Sequence, residues 1–162
     1  MKQDLYDKQY FMKSRHFQRR KSRLKPFKDA VLRYSPHMVL DVGCGLGGLV
    51  SWLRESHIDA IGVDFARTLK DDFNLPNIIL IDSATKLPFK DKTFDVVVST
   101  DFFEHLDESE IAQVYKEMKR VGKIVLAHIA YEAKLNDRKL KYHSVNKPKE
   151  WWEKKLEGII LI

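Results

Sequence analysis

Three aspartates stand out in this sequence for where they fall. Asp41 lies near the end of the apolar run Val39–Val42, Asp64 closes Ile58–Val63, and Asp82 closes Asn77–Ile81. Behind the first comes a set of closely spaced glycines, Gly43, Gly45, Gly47 and Gly48, with Cys44 among them. Glycines at that spacing permit a tight turn and let a ligand reach bare backbone amides. Carboxylates accept hydrogen bonds from hydroxyl, amino and ammonium groups. Together they suit a ligand that is cationic and rich in hydroxyls.

For these groups to meet, the elements carrying them must share one edge. Val39–Val42, Ile58–Asp64, Asn77–Asp82, Phe94–Ser99, Lys123–Ile129 and Ile159–Ile162 read as six strands, the last cut short. Helical patterns lie between several of them: Leu49–Ser56, a short one in Phe65–Phe73, one that starts after Asp107, and a last one holding Trp151, Trp152 and Leu156. Asp107 with Glu110 has capping-box spacing. Strands alternating with helices imply crossovers, hence an α/β, Rossmann-like doubly wound and mostly parallel sheet with helices on both faces. In such a sheet ligands bind beyond the carboxyl ends of the strands, where Asp41, Asp64 and Asp82 fall.

The chain has 162 residues, which predicts one domain over 1–162, with a basic helical segment at about 1–35. No apolar run reaches the roughly 20 residues of a membrane helix, and the N-terminus has no apolar signal core, so the expectation is a cytoplasmic protein with no membrane span. One cysteine rules out an internal disulfide, and Cys44 reads as filler. The six histidines show no i, i+2 or i, i+4 pair, so no metal site is expected. The net charge of +6 is concentrated in Lys13–Lys28. That segment reads as a helix packing Phe17, Leu24, Phe27, Val31 and Leu32 while its cations face water, ahead of a phosphate-binding patch.

The glycine loop fits two patterns. Gly43, Gly45 and Gly48 match the G-x-G-x-x-G dinucleotide fingerprint, and Asp41-x-Gly43-x-Gly45-x-Gly47 matches an acid-first loop for S-adenosylmethionine. A pyrophosphate gains nothing from Asp41 beside it. S-adenosylmethionine has no phosphate and offers an ammonium, ribose hydroxyls and an adenine amino group, one for each acid.

On these residues the chain resembles the class I S-adenosylmethionine-dependent methyltransferases along nearly its whole length. The resemblance implies that Asp41, Gly43, Cys44, Gly45 and Gly47 hold the methionine end of the cofactor. Asp64, with Phe65 after it, then takes the ribose, and Asp82, Ser83 and Ala84 contact adenine. Thr100 and Asp101, after the fourth strand, line the methionine and the transfer site. Glu104-His105-Leu106 is similar to a tripeptide of the branch that includes quinone-biosynthesis and other small-molecule enzymes. His105 is the candidate catalytic base or positioning group. His143 and Asn146 are candidates for the acceptor side, and Trp151 and Trp152 for packing. The family's Asn/Asp-Pro-Pro-aromatic signature of amino methylation is absent after the fourth strand. The seventh strand that the family's sheet ordinarily carries is not seen either, and an unpaired edge would favour a homodimer.

The expected function is therefore direct in-line methyl transfer from S-adenosylmethionine, more readily to a small-molecule acceptor than to RNA bound by the basic segment. The alternatives are a catalytically silent S-adenosylmethionine-binding partner subunit and, third, an NAD-dependent oxidoreductase.

Overall fold

The structure, a computed structural model, describes residues 6–71, 73, 75–131 and 142–162, with side chains except at 14–19, 70 and 71. Two helices, α1 (Lys8–Arg19) and α2 (Lys21–Leu32), precede the sheet. Strand β1 (Met38–Val42) leads through the glycine loop to α3 (Gly48–Arg54), then β2 (Asp59–Asp64), the single turn α4 (Thr68–Asp71) and β3 (Ile78–Leu80). Strand β4 (Phe94–Thr100), a 3-10 turn (Phe103–His105), α5 (Glu108–Val121) and β5 (Gly122–His128) follow. Helix α6 (Lys149–Lys155) and β6 (Ile160–Leu161) end the described chain.

The six strands lie in the order β3-β2-β1-β4-β5-β6, and every pairing is parallel. The β-branched runs in β1 and β4 suit strands buried on both faces. Residues alternate between the faces. Val39, Val96 and Val98 pack with Leu24, Phe27, Val31, Leu49 and Leu53 of α2 and α3. Leu40, Val42 and Val97 pack with Ile111, Val114, Met118 and Trp152 of α5 and α6. Asp41 shares the face of Val39, so its carboxyl emerges on the side of α2 and the start of α3. The order in which successive strands are added to the sheet reverses between β1 and β4, and the loops behind these strands part to leave a crevice.

Several boundaries differ from the sequence reading. The basic segment forms two helices parted at Arg20, with Pro26 inside the second. The predicted third strand stops at Leu80, which leaves Asp82 two residues beyond it, and the sixth shrinks to two residues. The helix read in Phe65–Phe73 is only Thr68–Asp71. Helix α5 starts as predicted, with the Asp107 amide 3.4 Å from the Glu110 carboxylate. Most of the connection at 131–142 and the Phe17 side chain lie outside the described residues. No helix among the described residues is long and apolar enough to cross a membrane.

Candidate active site

The glycine loop is held from beneath. The amides of Gly43 and Cys44 both donate to the Val63 carbonyl, at 2.9 and 3.2 Å, which ties the loop to β2. Asp64 fixes it further: one carboxylate oxygen accepts from the Gly45 amide and the other from the Ala66 amide, each at 2.9 Å. Gly43 has φ +75, and a Cβ there would lie 2.3 Å from the Phe102 ring. Only glycine meets both constraints. Gly47 adopts φ +66 at the start of α3, against Ile78.

Two cavities flank this loop. The first is lined by Arg23, Asp41, Gly43, Cys44, Gly45, Thr100 and Asp101, among others. The second takes Gly43, Gly45 and Asp101 from its other side and adds Tyr6, Tyr10, Asp64, Phe65, Phe102 and His105. Most of the residues singled out in the sequence thus converge here. Gly47, Asp82, Ser83 and Ala84 line neither cavity. Asp82 is exposed just past the carboxyl end of β3, the Ser83 hydroxyl bonds that of Thr85, and Ala84 is buried.

Asp41 is only 2% exposed, and its Oδ1 has no hydrogen-bond partner among the described residues. Burial, with the charge of Asp64 adding and Arg23 opposing, pushes its carboxyl up to about 7. The Asp64 carboxyl is also raised by burial, against the backbone amides that favour its anion. Asp101 behaves differently. Burial would raise it, but the hydrogen bond from His128 and the Arg23 charge outweigh that and hold it below its ordinary value. The cleft thus presents a buried acid with an unpartnered oxygen and a fixed guanidinium side by side.

Arg23 was read from the sequence as a water-facing cation and is not one. It turns inward to pair with Asp101, and its guanidinium stacks 5.6 Å from the Phe27 ring. The signal was there: Arg23, Phe27 and Val31 recur every four residues, so Arg23 continues the buried stripe of α2. Tyr6 is another such omission. Its hydroxyl lies 3.0 Å from His105 Nδ1, and its ring meets Tyr10 and Phe65 edge-on. Burial raises both phenols, Tyr10 to about 12.

His105 Nδ1 also lies 2.9 Å from the Tyr142 carbonyl. A carbonyl only accepts, so these partners assign the proton to Nδ1 and the lone pair to Nε2. Burial, reinforced by His143 nearby, lowers this imidazole to about 4. Glu104 beside it is fully buried, with Oε1 accepting from the Ala130 amide at 3.2 Å. Burial and the charge of Asp101 raise its carboxyl to about 8. Of the remaining candidates, Trp152 is fully buried beside Phe103 and Trp151 packs against it. Cys44 is partly buried, its sulfur set against Gly62.

A family model described as a methyltransferase domain matches residues 40–124, from β1 through the start of β5. The chain belongs to the methyltransferase-domain family. The matched span includes both cavity-lining loops. An uncharacterized methyltransferase of Alkaliphilus oremlandii is 30% identical over 133 residues, covering 76% of this chain and 60% of that protein. Phosphoethanolamine N-methyltransferase 3 of Arabidopsis thaliana is 30% identical over 113 residues, covering 63% of this chain and 23% of that protein. The chain therefore spans less than two thirds of the length of either relative. Among solved structures, a SAM-dependent methyltransferase from Archaeoglobus fulgidus is similar over 91% of this chain and 72% of its own, at 25% identity and a TM-score of 0.72.

S-adenosylmethionine is the cofactor that membership of this methyltransferase-domain family implies, and the residues fit it. The unpartnered Asp41 oxygen suits an ammonium, and the Arg23 guanidinium suits a carboxylate. Gly43, Cys44 and Gly45 line the same cavity beside them.

Proposed function

We propose that the chain is the cofactor-binding and catalytic domain of an S-adenosylmethionine-dependent methyltransferase acting on a small molecule. The observation that carries this reading is the buried Asp41 carboxyl, with one oxygen unpartnered, facing the same cavity as Arg23. An amino acid zwitterion satisfies both groups at once. A pyrophosphate would satisfy Arg23 and be repelled by Asp41. The strand order equals that of many dinucleotide-binding sheets, so the charges around the loop carry the distinction.

In this reading Asp41 takes the ammonium, Arg23 the carboxylate, and Asp64 the ribose hydroxyls on the lone pairs left after binding Gly45 and Ala66. Asp82, exposed on the same edge, takes the adenine amino group. S-adenosylmethionine supplies a methyl group already activated on its sulfonium, so the domain has to align an acceptor and keep water out. Tyr6, Tyr10, Phe65 and Phe102 supply the walls of that second cavity. His105, lowered to about 4, is better suited to positioning an acceptor than to removing its proton, since a base works best with its pKa near the working pH.

The basic segment does not strengthen the RNA alternative. Arg23 is turned inward, while Lys21 and Lys25 are paired with Glu55 and Asp29. Calorimetry with S-adenosylmethionine and with NAD tests the cofactor, with binding of the former alone expected. Transfer of labelled methyl into fractionated cell extract tests the acceptor. Label in the small-molecule fraction is expected; label confined to RNA or protein would overturn the acceptor reading, and failure to bind S-adenosylmethionine would overturn the whole.

A further inference from the structure

Glu104, His105 and His143 come together from two separate segments. One potential ligand atom from each lies within 4.8 Å of the other two, and the rings of His105 and His143 meet with centroids 4.8 Å apart. Local spacing gave no sign of this, because His143 arrives 38 positions after His105. We propose that these three side chains form a site for a first-row divalent metal ion such as Zn²⁺.

The donor set is two imidazoles and one carboxylate. That combination suits zinc, iron or nickel, whereas magnesium and calcium prefer oxygen throughout. Three protein ligands leave coordination positions open, as in metal sites that handle a ligand rather than brace a fold. His105 is also prepared for the role. Its Nδ1 is anchored on the Tyr142 carbonyl at 2.9 Å, and metal-binding histidines characteristically donate their other ring N–H to such a partner, which fixes the tautomer and the ring plane.

Glu104 provides the second, independent observation. It has 0% exposure, and its Oε2 has no hydrogen-bond partner among the described residues. A buried carboxylate oxygen without a partner is costly to keep. Glu104 could owe its place to structure alone, since its side chain receives the Ala130 amide and its backbone carbonyl the Val145 amide. Those contacts use Oε1 and the main chain and leave Oε2 unexplained. An ion with bonds of about 2.0–2.2 Å needs its ligand atoms roughly 3.5 Å apart. The three groups must therefore close by about an ångström, within the reach of side-chain rotation. The proposal does not depend on the methyltransferase reading, although His105 lines the cavity beside the cofactor loop, so a bound ion would border it.

The full chain, stripped with EDTA and dialysed into metal-free buffer, is tested by equilibrium dialysis against Zn²⁺ and, separately, Mg²⁺. One equivalent of Zn²⁺ per chain is expected, with Mg²⁺ bound far more weakly. His143→Ala and Glu104→Gln should each weaken Zn²⁺ binding by about tenfold or more, as losses around metal sites do. His57→Ala, in a separate cavity beyond the amino ends of the strands, should leave it unchanged. Should Glu104→Gln fail to fold, His143→Ala, at a partly exposed position, carries the result. No stoichiometric uptake, or uptake that His143→Ala leaves intact, overturns the site. Calorimetry with S-adenosylmethionine on the same metal-free sample reads the cofactor separately, so either reading can fail without the other.

Discussion

Arg23 of α2 and Asp101 behind β4 are paired across the first cavity, and Asp101 holds His128 of β5 with its other oxygen at 2.7 Å. One residue with φ +51 therefore fastens the N-terminal helices to two central strands. Arg23→Ala removes both the clasp and the partner offered to the cofactor carboxylate. A charge-assisted hydrogen bond contributes about 1.5–3 kcal/mol, so calorimetry should show S-adenosylmethionine binding at least about tenfold weaker. Arg23→Lys should recover only part of this, since an ammonium lacks the planar fork.

Asp41 should make the ligand-free chain sensitive to pH. Its carboxyl moves from 3.8 to about 7 on folding, so between those values the folded chain keeps a proton that the unfolded chain has released. Stability then falls as pH rises through that window, by at most about 1.4 kcal/mol per unit from this group. Urea unfolding at pH 5 and pH 7.5 should show a smaller difference for Asp41→Asn than for the parent chain. The same variant should bind S-adenosylmethionine more weakly at pH 7.5, because a neutral amide gives the ammonium no counter-charge.

Gly43→Ala should damage fold and binding together. The added methyl meets the Phe102 ring at 2.3 Å, in a backbone conformation that alanine disfavours. Overpacking and strain together put the cost at about 2–4 kcal/mol, read as a lower denaturation midpoint. Gly62→Ala should also lower the midpoint, because its methyl meets Cys44 Sγ at 2.5 Å and Cys44 Cβ at 2.8 Å, and turning the thiol aside relieves only the first.

Asp64 and Asp82 are both assigned to the nucleoside, but they should not respond alike. Asp64→Ala strands two amides as well as the ribose, so a loss of about tenfold or more in S-adenosylmethionine affinity is expected. Asp82 is exposed and its carboxylate has no hydrogen-bond or ion-pair partner among the described residues, so Asp82→Ala should cost only a few-fold. Equal effects in calorimetry would contradict this division of roles.

The strands and the cofactor loop were legible in the sequence because both are local. Apolar runs ending in Asp41 and Asp64, and glycines at fixed spacing, speak for themselves. Edges were harder to place: β3 and β6 pair on one side only, and their ends depend on neighbours that no run of residues names. Arg23 was misread because its charge outweighed its place in a four-residue stripe. Tyr6 and His143 reach His105 from 99 and 38 positions away. Such meetings are set by how the chain closes over the sheet, and no spacing rule contains them.

The two halves of this cleft are made of different material. The glycine loop is held by its own backbone amides, bonded to the Val63 carbonyl and the Asp64 carboxylate, contacts that a substitution among the aromatic residues of the cavity leaves alone. The opposite wall is a sheaf of aromatic side chains, Tyr6, Tyr10, Phe65 and Phe102, with Tyr142 packed against the two tyrosines. None of them lies within a strand. Under the function proposed, a new acceptor would call for changes in the aromatic wall, while the loop that holds the cofactor stays as it is.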